Sequence, residues 1–267
     1  MSEVSEPIRR MRFDQNENKI EKVRVPVLDV LVSQIRLRML VEYLTDLVSI
    51  GSDQSVVIVG HNLHSVYISK IDSEFASLYE RADLVLCDGF PIYFLASLRL
   101  LFRRGRVQRL GSTDWLPSFL LAQEALRVAV VGGSAESNLK CLEFFKNMNP
   151  KLEAVGVAGL DWSDEKTEYL LVTLENFRPQ LCLIGLGMPL QEKTLMSIFD
   201  LLPKSIYALV GGAIDQFSGV QMNAPRFLGS IGFEWIWRLA TQPRRLSGRY
   251  LIEPFHLVRV LVKKWKE

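Results

Sequence analysis

Five short apolar runs recur along this chain of 267 residues, and each is followed by glycine or polar residues and then by a segment with helical spacing. The polar ends of these runs are residues 60–62, 88–89, 132–133, 185–192 and 211–215. Alternating strands and helices predict an α/β fold, a Rossmann-like and mostly parallel sheet with flanking helices. The carboxyl ends of parallel strands meet at one edge, where ligands bind, so we expect one crevice lined by all five ends.

One of these ends carries an acidic residue. Leu84, Val85 and Leu86 predict a short buried strand, which stops at the pair Asp88-Gly89. A carboxylate at the ligand-binding edge of a sheet is suited to proton transfer. The same pair also favours a tight turn, so from this stretch alone Asp88 is either a functional carboxylate or a turn residue.

Two further strand ends add candidate contacts. The segment G-H-N brings His61 and Asn62 to the end of a strand predicted at residues 55–59. Gly132 and Gly133 lie between a strand and a helix, where backbone N–H groups suit a phosphate. Alone, both signals are weak, because a single histidine in a loop is often structural and G-G lacks the full G-x-G-x-x-G spacing.

The remaining candidates follow the last two strands and a basic loop. Gln191 and Glu192 come after a glycine loop, and G-G-A-I-D places Gly212 and Asp215 at the final strand end. Arg109 is the last arginine of a basic loop and is expected to contact substrate. The earlier arginines of that loop are expected to be solvated surface residues.

Charge and composition divide the chain into three parts. Residues 1–22 are polar and predict a flexible N-terminus, and residues 23–225 predict the α/β catalytic domain. Residues 226–267 form a small, helical, aromatic-rich appendage, whose nine Lys and Arg against three Glu give +6, against −4 for the rest. Such a basic tail predicts an anionic partner.

The local elements within these parts also follow from the pattern. Residues 23–32 predict one edge or entry strand, and residues 64–81 predict one helix. Near the C-terminus, Phe255, Val258 and Val262 recur at helical spacing among basic residues. This amphipathic pattern fits a membrane interface and fits packing against the main domain equally well.

Other classes are excluded by composition. No run of about 18 apolar residues is present, and the N-terminus lacks the apolar core of a signal peptide. Cys87, Cys141 and Cys182 are odd in number and lack C-x-x-C spacing, which argues against a disulfide framework or a zinc ribbon and favours the cytoplasm. Cys87 falls inside an apolar strand and is interpreted as a structural thiol.

The motifs occur in a characteristic order. Asp88-Gly89, the Gly132-Gly133 turn, P-L-Q-E-K, G-G-A-I-D and the block G-F-E-W-I-W-R-L-A-T-Q-P-R-R-L-S-G-R-Y together resemble the WecG/TagA/CpsF family, glycosyltransferase family 26. The resemblance covers about residue 25 to the C-terminus. It implies an inverting, metal-independent transferase that moves a sugar from a UDP-sugar to a polyprenyl-diphosphate-linked glycan in bacterial surface or exopolysaccharide synthesis. Donors in the family are of the N-acetylmannosamine, N-acetylmannosaminuronic acid or glucuronic acid type.

The resemblance also implies roles for single residues. Asp88 falls on the aspartate of the family's D-G motif and is expected to be the general base, and Gly89 is expected beside the substrate. Asn62 matches the family's T-x-N motif, although Gly60 stands where the family has threonine. Gln191 and Glu192 match P-x-Q-E and are expected to contact sugar or acceptor.

Three arginines of the tail match recurrent family arginines. Arg238, Arg245 and Arg249 are expected near the leaving diphosphate, where they and the helix start after Gly133 replace a metal ion. Two other tail positions depart from the family pattern: Asn223 replaces an arginine and Gln242 a glutamate.

Partners and location follow from the same resemblance. We expect no cofactor and no metal, a UDP-sugar donor, a lipid-linked acceptor and peripheral binding to the anionic inner face of the cell membrane. Removal of the tail would expose apolar surface, so the sequence is also compatible with a homo-oligomer. The competing hypotheses are a Rossmann-type oxidoreductase, which would favour a fuller glycine fingerprint, and a non-catalytic nucleic-acid-binding protein, which would favour stacking aromatics on strands.

Overall fold

The computed structural model describes residues 20–51, 54–100, 107–222, 228 and 233–264. Most of the predicted flexible N-terminus, residues 1–19, lies outside this part of the chain. The strands of the described part are β1 Lys22–Val25, β2 Val30–Ser33, β3 Val56–His61, β4 Leu84–Cys87, β5 Leu126–Gly132, β6 Leu152–Val157, β7 Leu181–Gly185 and β8 Ile206–Leu209.

Six strands form one sheet in the order β4-β3-β8-β7-β5-β6. Every neighbouring pair in it is parallel, so the prediction of an α/β fold with a mostly parallel sheet is confirmed. β4 and β8 are buried along their whole length, which is the pattern of a sheet covered on both faces. The carboxyl ends of all six strands therefore point to one edge of the sheet.

Helices follow most of the strands and cover the sheet. They are α1 Leu37–Ile50, α2 Leu63–Ile71, α3 Ser73–Arg81, α4 Phe90–Leu100, α5 Ser112–Ala122, α6 Ala135–Met148, α7 Asp164–Phe177, α8 Leu190–Ile198, α9 Ala213–Phe217, α10 Glu234–Thr241, α11 Pro243–Ser247 and α12 Glu253–Lys264. A 3₁₀ turn, Phe199–Leu201, follows α8, and a π-helical turn, Gly248–Ile252, joins α11 to α12.

Two apolar layers hold the sheet between its helices. On one face, Leu44 of α1, Phe119 of α5 and Phe145 of α6 pack in one cluster with alternate residues of the strands. On the other face, Phe75 of α3 and Leu174 of α7 pack in a second cluster. Because side chains alternate across a strand, neighbouring residues of one strand serve both layers.

The described tail, residues 233–264, packs against the sheet domain. Leu246 of α11 is buried, and Leu257 of α12 is buried in a third cluster with Val25, Val32 and Ile92. α12 also contacts α2. Within the described residues, no helix combines the length and the apolar character needed to cross a membrane.

Two local predictions were wrong. Residues 23–32 are not one strand, because β1 and β2 form an antiparallel hairpin around a turn at residues 26–29, where Val27 and Asp29 have positive φ. Residues 64–81 are not one helix either. Asp72 interrupts them, and its side chain accepts a hydrogen bond from the backbone N–H of Phe75 (3.0 Å), which caps α3.

Candidate active site

A cavity of about 870 Å³ opens at the carboxyl ends of the parallel strands. This volume lies within the usual range for small-molecule sites, roughly 300–1,000 Å³. We call it the main cavity. The sequence-predicted residues in its lining are Asn62, Asp88, Arg109, Gly133, Gly212, Asp215, Arg238 and Arg249.

The backbone after β4 places Asp88 at this edge. The N–H groups of Asp88 and Gly89 both donate to the carbonyl of His61, each at 3.0 Å, which fixes the turn against the end of β3. The Asp88 carboxylate faces the main cavity and accepts a hydrogen bond from Nδ2 of Asn62 at 3.3 Å. Asp88 is thus both the turn residue and a carboxylate at the cavity.

Two glycines leave space for this carboxylate. A Cβ added at Gly111 would lie 2.7 Å from Oδ1 of Asp88, and one at Gly60 would lie 3.3 Å from its Cβ. Gly60 occupies the position where the family pattern has threonine, and its lack of a side chain permits this close approach. Gly111 precedes α5, whose first residues also line the cavity.

Asn62 connects the sheet to the tail. Its Oδ1 accepts from the backbone N–H of Ser65 (3.2 Å), which caps α2, and from Nη2 of Arg249 (3.2 Å). Its Nδ2 donates to Asp88. One amide side chain therefore positions the carboxylate, a helix start and a tail arginine.

Positive charge surrounds Asp88 and is partly matched by Glu234. Glu234 pairs with Arg238 four residues later on α10 and with Arg109 from the loop before α5 (Oε2 to Nη1, 3.6 Å). Burial raises the pKa of Asp88 above its ordinary value, and Arg238 and the hydrogen bond from Asn62 oppose this rise without cancelling it. The carboxylate is therefore a better proton acceptor than an exposed aspartate.

The Gly132-Gly133 turn forms another part of the wall. Gly132 has φ +131°, and a Cβ there would lie 2.3 Å from the carbonyl oxygen of Gly185 at the end of β7. Gly133 lines the cavity and leads to Ser134, whose Oγ caps α6 by accepting from the N–H of Ser137 (3.0 Å). This start of α6 presents the positive end of the helix dipole to the cavity.

Asp215 supports that wall from α9. Its Oδ1 accepts a hydrogen bond from Oγ of Ser137 at 2.5 Å, so this carboxylate joins α9 to the first turn of α6. Gly212 lies one residue before α9 and lines the same cavity.

Three predicted contacts lie in a buried polar cluster next to the cavity. His61 is 2% exposed and approaches Oγ of Ser65 through Nδ1 (3.0 Å). Gln191 and Glu192 are fully buried in the first turn of α8. Oε1 of Gln191 accepts from the backbone N–H of Gly211 (3.1 Å), and its Nε2 donates to Glu192 (2.9 Å). These side chains support the cavity wall, and direct contacts with substrate stay predictions.

Tyr79 completes this cluster. Its ring lies 4.4 Å from that of His61, and its hydroxyl lies 3.5 Å from Oε1 of Glu192. Burial lowers the pKa of His61 to about 3 and raises that of Glu192 to about 7. Oε2 of Glu192 has no hydrogen-bond partner among the described residues. His61 is therefore neutral near pH 7, and Glu192 is close to its midpoint.

The other predicted residues lie beside these groups or cannot be placed. Gly132 packs against the backbone of Gly185, and Gly89 lines a smaller neighbouring cavity. Arg245 belongs to α11, but its side chain is outside the described part of the structure, as is Asn223. Cys87 is a buried free thiol whose pKa is raised by burial, in keeping with its interpretation as a structural residue.

Sequence reasoning missed His64, Glu234 and Glu253, which all line the main cavity. Nδ1 of His64 lies 2.6 Å from Oε2 of Glu253, so this pair joins α2 to the start of α12. The spacing of Glu234 and Arg238 is a local signal for an ion pair on a helix. His64 and Glu253 are far apart in sequence, and no local pattern links them.

No group of three or more His, Cys, Asp or Glu side chains suited to holding a metal ion is found in the described residues. The chain was also compared with models of protein families. The family model for the glycosyl transferase WecG/TagA/CpsF family covers residues 25–267, nearly the whole chain. This match confirms the resemblance inferred from the motifs, and with it the expectation of a glycosyltransferase.

Proposed function

This chain belongs to the WecG/TagA/CpsF family of glycosyl transferases, and we propose that it transfers a sugar from a UDP-sugar to a polyprenyl-diphosphate-linked glycan with inversion at the anomeric carbon. The donor would carry a sugar of the N-acetylmannosamine, N-acetylmannosaminuronic acid or glucuronic acid type. The product would serve bacterial surface or exopolysaccharide synthesis.

The observation that carries the proposal is the set of basic residues around Asp88. Its carboxylate faces a nucleotide-sized cavity together with Arg109, Arg238 and Arg249. A transfer of this kind needs a base for the incoming hydroxyl and positive charge for the departing diphosphate. One cavity therefore offers a candidate residue for each requirement.

The chemistry follows from that arrangement. The acceptor hydroxyl loses its proton to Asp88 as its oxygen bonds to the anomeric carbon. The bond between that carbon and the diphosphate oxygen breaks on the opposite face, and UDP leaves with the bonding electrons. The raised pKa of Asp88 favours its part in this step, because a more basic carboxylate takes a proton more readily.

Charge on the leaving UDP has candidate partners in this chain. The start of α6 behind Gly133 offers backbone N–H groups, and the guanidinium groups of Arg238 and Arg249 offer charge-assisted hydrogen bonds. The proposal assigns the diphosphate to these groups, so we expect transfer to continue when divalent cations are chelated.

The outer side of α12 supports peripheral membrane binding at the cytoplasmic face. Phe255, Val258 and Val262 are exposed there, and Arg259 and Lys263 lie on the same helix. Exposed apolar residues beside basic ones favour an anionic bilayer surface. Phe255→Ser should weaken co-sedimentation with phosphatidylglycerol vesicles, whereas Leu139→Ser, at an exposed apolar position on α6, should not.

The direct test of function is a donor and acceptor panel. Purified protein is incubated with UDP-sugars, including UDP-N-acetylmannosamine and UDP-glucuronic acid, and with short prenyl-diphosphate glycans, and UDP release and the glycan product are measured with and without EDTA. Transfer from one UDP-sugar supports the proposal. Thermal stabilisation by NAD(P) and not by UDP, with no transfer, would instead favour the oxidoreductase hypothesis.

A further inference from the structure

A second, smaller cavity of about 300 Å³ also borders Asp88. We call it the side chamber. It shares Asn62, His64, Asp88, Arg109, Glu234, Arg238 and Arg249 with the main cavity, so the two spaces meet at these residues. Its own lining consists of Leu63, Gly89, Phe90, Pro91, Trp235, Tyr250 and Pro254. Asp88 therefore stands at a junction between two different environments.

The part of the side-chamber wall that the main cavity does not share is largely aromatic and apolar, whereas the wall of the main cavity is rich in glycine. The rings of Trp235 and Tyr250 lie 6.0 Å apart at 51°, and Phe90 and two prolines complete the wall. Aromatic faces offer broad, rigid contact area to a partly apolar ring. The volume is at the lower end for ligand sites, about 300 Å³, and suits a single sugar ring.

The junction also has an unused hydrogen-bond donor. Arg238 lines both spaces and pairs with Glu234, but its buried Nε has no hydrogen-bond partner among the described residues. Arg249 lies nearby, with its guanidinium carbon 5.7 Å from the centre of the Tyr250 ring. A buried, unpartnered N–H at the junction is suited to an oxygen of a bound ligand.

Apolar surface leads away from the side chamber along two helices. α4 begins at Phe90 and carries Phe94 and Leu98 one and two turns further on. α12 begins beside Pro254 and carries Val258 and Val262 at the same intervals. These four side chains are 43% to 59% exposed and extend about 12 Å from the helix starts. A lipid attached to a ligand in the chamber would have apolar surface to follow.

We propose that the side chamber binds the sugar of the lipid-linked acceptor, with the sugar ring against Trp235 and Tyr250 and one of its oxygens accepting a hydrogen bond from Nε of Arg238. This assignment rests on the proposed function and adds where the acceptor enters. It brings the acceptor hydroxyl to Asp88 from one cavity and the UDP-sugar from the other. An inverting displacement needs the base beside the attacking hydroxyl, which approaches the anomeric carbon on the face opposite the leaving UDP.

The test measures donor and acceptor separately in the full-length protein. Trp235→Ala is compared with the wild type and with Ile236→Ala, a half-exposed apolar position on the same helix that lines neither cavity. The acceptor probe is N-acetylglucosamine joined through diphosphate to a farnesyl chain, and its binding in the presence of UDP is measured by calorimetry. Steady-state kinetics follow for both substrates, and thermal unfolding verifies that each variant is folded.

We expect Trp235→Ala to weaken probe binding and to raise the acceptor KM about tenfold, while UDP binding stays unchanged. Trp235→Phe should recover most of the loss, and Ile236→Ala should behave as the wild type. Unchanged probe binding in folded Trp235→Ala, or a loss confined to UDP, would overturn the assignment. A wild type that binds UDP and the probe but transfers no sugar would instead refute the proposed function and leave the chamber as a binding site.

Discussion

The two walls of the main cavity are built in different ways. The wall formed by the sheet is held by parallel strand pairing and by glycines whose neighbours leave no space for a Cβ, as at Gly132. The wall formed by the tail is held through buried Leu257 and through polar contacts that include Arg249 with Asn62 and Glu253 with His64. The sheet wall thus sets the shape of the cavity, whereas the tail wall supplies much of its positive charge.

This contrast predicts that the most severe functional defect comes from the sheet wall. Asp88→Asn keeps the size of the side chain and its contact with Asn62 but removes the proton acceptor. We expect kcat to fall about 10²- to 10⁴-fold, while UDP binding and thermal stability change little. Single-turnover kinetics and calorimetry with UDP measure these quantities. A normal rate would show that Asp88 is only a turn residue.

The rigidity of the sheet wall is tested at Gly132. Alanine there combines a positive φ of +131° with a Cβ 2.3 Å from the Gly185 carbonyl oxygen, so the ends of β5 and β7 must separate. We expect a loss of about 3–4 kcal/mol in the free energy of unfolding, measured with urea.

Gly51→Ala is the matched control for that variant. Gly51 also has positive φ, +76°, but a Cβ there would meet nothing within 4 Å. It should cost only the backbone strain, about 1–2 kcal/mol. Equal losses at the two positions would contradict the idea that close packing of the strand ends fixes the cavity wall.

The buried polar cluster behind the sheet wall gives the next largest effect, and it depends on pH. The pKa of Glu192 is about 7 in the folded protein against an ordinary value of 4.5, so the folded state holds this proton more tightly. This proton therefore contributes about 3 kcal/mol to the free energy of unfolding below pH 4.5, and the contribution is lost as the pH rises to 7. Glu192→Gln should lack this loss, so its stability relative to the wild type should rise over this window.

The quantity to measure is the difference in unfolding free energy between Glu192→Gln and the wild type, because His61 makes stability depend on pH in the opposite direction. Its pKa falls to about 3 from 6.5, so its contribution is present above pH 6.5 and is lost as pH falls. Both proteins retain His61, and its effect cancels in the difference. A pH-independent difference between pH 4.5 and 7 would show that Glu192 is not a raised-pKa carboxyl.

The sheet wall was more predictable from the sequence than the tail wall. Apolar runs that end in Asp88-Gly89 or Gly132-Gly133 specify strands whose ends must share an edge, because the connections are helical. What the pattern could not give was side-chain direction. His61 is the last residue of β3 and Asn62 follows it, yet His61 is buried towards Ser65 while Asn62 lines the cavity.

The tail wall depends on contacts between residues far apart in sequence, which local patterns do not encode. Arg249 meets Asn62 across 187 positions, and His64 meets Glu253 across 189. The family pattern brought Arg238 and Arg249 to the site, but it did not indicate the side chamber, because Phe90 and Trp235 are ordinary apolar helix residues in sequence. Only the packing of α4, α10 and α12 around Asp88 brings them together.

The smallest expected effect comes from a single polar contact of the tail. Arg249→Gln removes the charge facing Asp88 and weakens the contact with Asn62, while Leu257 still anchors α12 in its cluster. We therefore expect kcat/KM to fall about tenfold with little change in unfolding temperature. Arg259→Gln is the matched control, because it removes the same charge from an exposed position on α12. Equal losses for both variants would mean that the tail acts through its overall charge. A loss confined to Arg249 would mean that the tail acts through a cation placed at the carboxylate, because Arg249 lines both cavities and Arg259 lines neither.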